Sequence, residues 1–286
     1  MKVLLTGKSG FLGNHLYNRL YNGGYEIRVL SHEIADLRVY SEVKNFVQSV
    51  KPDVIFHVAG LGLYEGKDPD EENAIEVNTI GTSNLLKACR NIDYKVFVNT
   101  GSSSEYGTKY NPMDEDDVCN PESAYAISKL VGTLLAKREY NTFRKPVVTL
   151  RLFSPYGKGD SPRRFIPQVI DKAKRDKTIV VNFSDALRDY VYIDDVVQAY
   201  MKCISNVEKA KGKILNIGSG KQMTMFEAAD TIRRVLSSKS TIQQPLIGKD
   251  KHFESPMWQA NIESAQIYLD WKPQTTFEQG IRLYAS

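Results

Sequence analysis

The sequence predicts an α/β fold: a doubly wound parallel sheet with a smaller, discontinuous C-terminal region. Three observations carry this. Short β-branched runs alternate with stretches of helical spacing through the first ~155 residues. A glycine-rich turn, "TGKSGFLG" (Thr6–Gly13), joins the first such run to the first helical stretch. After "SPYGKGDSP" the alternation becomes irregular, punctuated by Pro and Gly. Strands alternating with helices require right-handed crossovers, so helices cover both faces of one parallel sheet.

Taken in order, "KVLLT" is the first buried strand, and "FLGNHLYNRLYNGG" repeats apolar residues at Phe11, Leu12, Leu16 and Leu20 before glycines stop it. "YEIRVLS", "PDVIFHVAG", "KVFVNTGSSS" and "VVTLRLF" are the next strands, with "SEVKNFVQSV" and "NTIGTSNLLKACR" as helices between them. A sheet of about seven strands follows, with "RDYVYIDDV" returning to its core. The dinucleotide-binding part would comprise residues 1–155 plus about 184–212, and the substrate-binding region 156–183 plus about 213–286.

Composition narrows the function classes. The 286 residues are 42% hydrophobic and 25% charged, enough for a large core. The net charge of +4 is dispersed, which argues against nucleic acid as a partner. Cys89, Cys119 and Cys203 are far apart and in no CxxC pair, so neither a disulfide framework nor a metal site is expected, and a reducing cytoplasm fits. No apolar run is long enough to span a membrane.

The glycines at 7, 10 and 13 have a physical role in such a turn. There the backbone approaches a pyrophosphate, whose charge is stabilised by free N–H groups and the helix dipole. Gly7 would make the tight turn, Gly10 the close approach, and Gly13 the helix–sheet contact. Further on, "SAYAISK" places Tyr125 and Lys129 four residues apart, on one face of a helix. A free phenol has a pKa of about 10, and a neighbouring ammonium favours its ionised form, so the pair suits proton transfer.

With these motifs the sequence resembles the extended short-chain dehydrogenase/reductase family of nucleotide-sugar epimerases, dehydratases and ketoreductases. The resemblance spans essentially the whole chain: "TGKSGFLG", "DLRVYSEVKNFVQSVKPDVIFHVAG", "NTIGTSNLLKACR", "GSSSEYG" with "SAYAISK", "RLFSPYGKG", "RDYVYIDDV", "LNIGSG" and "DWKPQTTFEQGI". It implies a Rossmann fold and an NAD(P) cofactor. It also implies that Tyr125 is the acid/base at a sugar hydroxyl, usually at C4, that Lys129 holds the nicotinamide ribose, and that Ser102 hydrogen-bonds the reacting oxygen, with Ser103 and Ser104 as alternatives. Ser9, Gly10, Phe11 and Leu12 fall in the cofactor loop with Gly7 and Gly13. Asp36 and Leu37 resemble the pair bracketing the adenine, Ala59 and Gly60 line the cofactor, and Asn78 is a structural asparagine beside it. Arg188 resembles an arginine that reaches the substrate's diphosphate; the alternative is an ion pair with Asp189, Asp194 or Asp195. Arg163 and Arg164 could face a phosphate or solvent. Two helices resemble those of a family homodimer interface, although Leu130, Leu134 and Leu135 could equally belong to the monomer core.

Three departures bear on the reaction. Ser31 stands where NAD-preferring members carry an aspartate, and Lys8, Arg28 or His32 could supply positive charge, which favours NADP(H) over NAD(H). Ser103 and Ser104 occupy the dehydratase acid positions, with Glu105 out of phase by one. Ser154 replaces a common asparagine in "RLFSPYG", where substrate contact is expected. These point to a 4-ketoreductase on a nucleotide-linked hexose, with an NAD-retaining 4-epimerase as the alternative. A catalytically silent dinucleotide-binding module is the reading from another class, against which the Ser102/Tyr125/Lys129 set speaks.

Overall fold

The computed structural model describes residues 1–62, 70–245 and 255–286; residues 246–254 of the expected substrate region lie outside them. Five strands follow the expected order: β1 (Lys2–Thr6), β2 (Glu26–Leu30), β3 (Val54–His57), β4 (Val96–Ser102) and β5 (Val147–Leu152). Between them run the helices α1 (Phe11–Asn22), α2 (Tyr40–Val50), α3 (Glu71–Ile75), α4 (Thr82–Cys89) and α5 (Ala124–Phe143). A π-helical turn, Glu76–Gly81, joins α3 to α4.

Later strands are short: β6 (Ser154–Tyr156), β7 (Ile179–Val180), β8 (Leu187–Arg188), β9 (Tyr190–Tyr192), β10 (Ile214–Ile217), β11 (Met223–Thr224) and β12 (Ile242–Gln243). The helices α6 (Phe165–Lys174) and α7 (Ile193–Ser205) lie among them. The central sheet has six strands, in the order β10-β5-β4-β3-β1-β2, all parallel. This corrects the expected seven. "RDYVYIDDV" is buried as expected, but its strand β9 pairs with β6 in a separate two-stranded ladder. Two further ladders join β8 to β11 and β7 to β12.

The sheet is apolar on both faces because crossover helices cover both. One face packs α1 and α7 through Leu12, Leu16, Val196 and Tyr200. The other packs α2 and α4 through Val43, Val47, Leu85 and Leu86. The chain winds in opposite directions from β1 and β3, and such a switch point opens a crevice at the carboxyl ends of the strands. Thr6, His57 and Ser102 end β1, β3 and β4 there. Among the described residues no helix is long and apolar enough to cross a membrane.

Candidate active site

A cavity of about 990 Å³ opens at these strand ends. Its wall contains Ser9, Gly10 and Phe11 of the glycine loop, Gly60 after β3, Ser102 at the end of β4, and Ser103 and Ser104 just after it. Tyr125 and Lys129 enter it from α5, and Ser154, Arg164 and Arg188 from the later segments. The structure thus brings the expected loop, proton-transfer set and arginine into one space.

Gly7 takes φ +73°, and a Cβ on it would sit 2.6 Å from the Ala59 amide nitrogen. Only glycine fits this turn. A Cβ on Gly13 would collide with the Gly7 carbonyl, so Gly13 packs the helix against the loop itself, not against the sheet as expected. The reason is the turn's tightness: Gly10 N–H donates to Gly7 O at 3.0 Å, folding the loop under the helix start. Gly10 is exposed in the wall, at the N-cap of α1, and leaves a cradle that a pyrophosphate fits. Leu12 is buried core. Leu12, Gly7, Gly13 and Ala59 frame the cavity without lining it.

The region where the adenosine is expected is differently charged from expectation. The Ser31 hydroxyl hydrogen-bonds the Glu33 carboxylate and, with the Glu33 amide, holds it below the usual carboxylate range. Asp36 is gripped by Arg38 through Nε and Nη2, at 3.0 and 2.7 Å, and Arg38 also reaches Glu76. Leu37 is buried, its carbonyl held by Asn84. The three suggested cations all have partners: Lys8 lies over the Tyr17 ring, Arg28 pairs with Glu26, and His32 is 3.5 Å from Asp36.

Ser102 caps the short 3₁₀ turn Ser103–Tyr106, and its Oγ lies 2.7 Å from Ser104 Oγ. Glu105 turns away beneath the sheet. Its carboxylate accepts from the Ser102 amide, the Thr133 hydroxyl and Arg151 Nε, at 2.7, 3.0 and 2.8 Å. The absence of a side chain on Gly101 allows this, since a Cβ there would stand 2.8 Å from Glu105 Oε1. Glu105 is therefore occupied structurally and does not face the cavity.

Ser123 N-caps α5 by accepting from Ala126 N–H, which fixes where the Tyr125/Lys129 face begins. Burial pulls the Lys129 ammonium down to about 8 against the opposing pull of Glu105. A buried chain of bonds, unforeseen in the sequence apart from Asn78, ties α5 to the cofactor strands. Thr6 Oγ1 accepts from the Val58 and Ala59 amides, so its proton goes to His57 Nδ1. Thr82 donates to the Asn78 carbonyl, so it accepts from His57 Nε2–H. Asn78 then clasps both backbone polar groups of Leu61 and donates to Ser128, whose hydroxyl donates to the Tyr125 carbonyl. Counting protons thus fixes His57 as the neutral Nε2–H tautomer, and burial, then Lys129, holds it down to about 3.

Arg188 has no carboxylate partner among the described residues. Asp189 is committed to Ser219, Gly220 and Ala260, and Asp195 to Gln274 and Thr275. Asp194 approaches His15. The expected ion-pair alternative for Arg188 is thereby removed. Arg188 Nη1 donates to Leu187 O at 2.6 Å, and its guanidinium lies 5.0 Å from the Trp258 ring centre. Trp258 also lines the cavity and was not anticipated; one tryptophan in a segment without periodicity carried no signal. Arg164 lines the cavity and pairs with Asp160, whereas Arg163 is exposed outside it. Ser154 is fixed in β6, its amide donating to Asp189 O.

Known proteins are similar to this chain in sequence and fold. A putative UDP-glucose 4-epimerase of Methanocaldococcus jannaschii is 25% identical over 98% of this chain and 96% of its own length. A dTDP-4-dehydro-6-deoxyglucose reductase of Escherichia coli is 28% identical over 98% and 95%. The crystal structure of UDP-glucuronic acid 4-epimerase from Bacillus cereus, with UDP-glucuronic acid and NAD, superposes with a TM-score of 0.86 at 25% identity, covering 100% of this chain and 98% of that one. The family model of the NAD dependent epimerase/dehydratase family matches residues 3–218, from β1 to the end of the central sheet. By its glycine loop, its sheet and this match, the chain belongs to the NAD dependent epimerase/dehydratase family.

Proposed function

We propose that the protein is an oxidoreductase acting at C4 of a nucleotide-linked hexose, and that it works as a 4-ketoreductase. The observation that carries the reading is the single cavity in which the glycine loop, Ser102, Tyr125, Lys129 and a carboxylate-free Arg188 meet. When bound, the nicotinamide exchanges hydride with the sugar carbon. Tyr125 gives the proton to the C4 oxygen, Ser102 Oγ hydrogen-bonds that oxygen, and Lys129 holds the ribose and favours the ionised tyrosine. Arg188 grips the diphosphate, with Ser103, Ser104 and Ser154 along the sugar. Residues 1–155 and about 184–212 form the dinucleotide-binding part, whose cleft edge also supplies these substrate contacts, and the remaining segments form the substrate-binding region.

Dehydration is disfavoured because Glu105 is committed to Arg151 and the positions before it are serines. Reduction is supported by the 28% identical reductase and by Ser31, which puts no carboxylate of its own just after β2 to repel the 2′-phosphate of NADP(H). A specific observation favours a second reading, an NAD-retaining 4-epimerase. Ser31 holds Glu33 nearby, and Lys8, Arg28 and His32 are already partnered. Denaturing the purified protein and identifying the released dinucleotide separates the two. Stoichiometric NAD supports the epimerase. An empty site that consumes NADPH with a 4-keto-6-deoxy sugar nucleotide supports the reductase, and no dinucleotide binding at all overturns both.

A further inference from the structure

The substrate end of the cavity contains two polar groups left without ordinary partners. The Arg188 guanidinium is held by one carbonyl and one aromatic face, with no counter-ion among the described residues. Burial pulls its pKa below the usual arginine range, so the charge is poorly solvated where it stands. Beside it the Trp258 indole Nε1–H is buried with no hydrogen-bond partner among the described residues, the one side-chain group so placed. A buried donor left unpaired is costly, so two adjacent unsatisfied groups need a reason.

We infer that Trp258 is the second phosphate-binding residue of this site: a small turn of its ring on binding brings the closed-off indole N–H to an oxygen of the diphosphate that Arg188 holds, and the ring backs the guanidinium. A dianion answers both deficits at once, supplying a counter-charge to Arg188 and an acceptor to the indole. Trp258 is held for this task. Its amide donates to Gln222 Oε1 at 2.8 Å, and β11, which follows Gln222, pairs Met223 directly with Arg188. Its ring packs on the small core of Tyr106, Met113, Phe153 and Ala260, which limits how far it can turn. An aromatic face on a desolvated guanidinium stabilises the cation without neutralising it, leaving its outer N–H groups for a ligand.

This inference rests on the reading of Arg188 as the diphosphate residue, and the test separates the two. The chain has two tryptophans, and the other, Trp271, is buried with its N–H on Asp195 O. Titration of the whole protein with UDP, followed by calorimetry and by tryptophan fluorescence, is compared with Trp258→Phe, which removes the N–H and keeps an aromatic face. Inorganic pyrophosphate as a competitor probes the phosphates without the base. The expected result is a UDP affinity about 10- to 100-fold weaker in the variant, the same loss for pyrophosphate, unchanged NAD(P)H affinity, and loss of the ligand-induced fluorescence change. Equal UDP and pyrophosphate affinity in wild type and variant overturns the role of Trp258. So does a loss shared with NAD(P)H, which would mark a packing defect. A wild type that binds neither UDP, dTDP nor pyrophosphate overturns the Arg188 reading itself.

Discussion

Tyr125 and Lys129 show how one residue's environment sets another's use. Burial lowers the Lys129 ammonium to about 8, so it is cationic below that pH and neutral above it. An ammonium favours the ionised form of a nearby phenol, and this help is present below about 8 and is lost as pH rises through it. We expect kcat/KM, which reports the free enzyme, to fall on the alkaline side with a limb near pH 8. A limb near the ordinary lysine value would show that burial does not lower Lys129 in the working enzyme. The ring itself is tested by Tyr125→Phe, which keeps the packing and removes the proton. Turnover should drop about 10²-fold or more, the scale of general acid–base catalysis, with the fold and dinucleotide affinity retained. Near-normal turnover in that variant would take Tyr125 out of the mechanism. Both side chains were legible in the sequence because a four-residue spacing on a helix is a local fact. Trp258 and His57 were not, because their partners stand 25 or more residues away.

At the level of elements, the chain through His57 joins β1, β3, the π-helical turn and α5, so the glycine loop and the helix of Tyr125 and Lys129 share one brace. Where the π-turn runs into α4, the Thr82 hydroxyl donates to the Asn78 carbonyl. His57 is held down to about 3, whereas an unfolded histidine titrates near about 6.5. Between these values the unfolded chain binds the extra proton. Stability from this site is therefore full above about pH 6.5 and declines as pH falls toward 3, by up to about 1.36 kcal/mol per pH unit. Urea unfolding of wild type and His57→Gln from about pH 7 to pH 4 isolates the effect. The variant should be weaker at pH 7, by the order of about 1–3 kcal/mol for a broken buried bond, yet lose less on acidification. Parallel slopes for the two proteins would show that His57 does not carry the acid sensitivity. Glu105 makes a related point about legibility. Its count from Ser102 was plain in the sequence, but its destination depended on Arg151 in the neighbouring strand and on the bare backbone at Gly101.

For the whole molecule, the alternation of runs sufficed to foresee the first five strands, because β1, β3, β4 and β5 are segments buried on both faces and the edge strand β2 still alternates in exposure with the period of a strand. The irregular second part resisted, since its strands have two to four residues and are defined by partners far along the chain. The same limit left Leu130, Leu134 and Leu135 undecided between core and interface, and the structure divides them. Leu135 packs toward the core around Phe97 and Ala136, whereas Leu134 is 54% exposed. Ile127 lies seven residues, two helical turns, before Leu134 and is 47% exposed, so the two share one face of α5. Ile75 and Ile80, at 46% and 45%, stand on the neighbouring α3 and π-turn, which pack against α5. Four large aliphatic residues on adjoining helices form a face suited to a second copy, and a two-fold pairing of α5 with its neighbour's would cover it on both chains at once. We expect a homodimer in solution. Light scattering behind size exclusion should give twice the chain mass for the wild type and the chain mass for Leu134→Glu, because a carboxylate buried without a partner opposes association. The variant should keep its fold and its dinucleotide affinity, since Leu134 is outside the cavity wall. A wild type that runs as a monomer at micromolar concentration, or a Leu134→Glu protein that stays dimeric, would place the interface elsewhere.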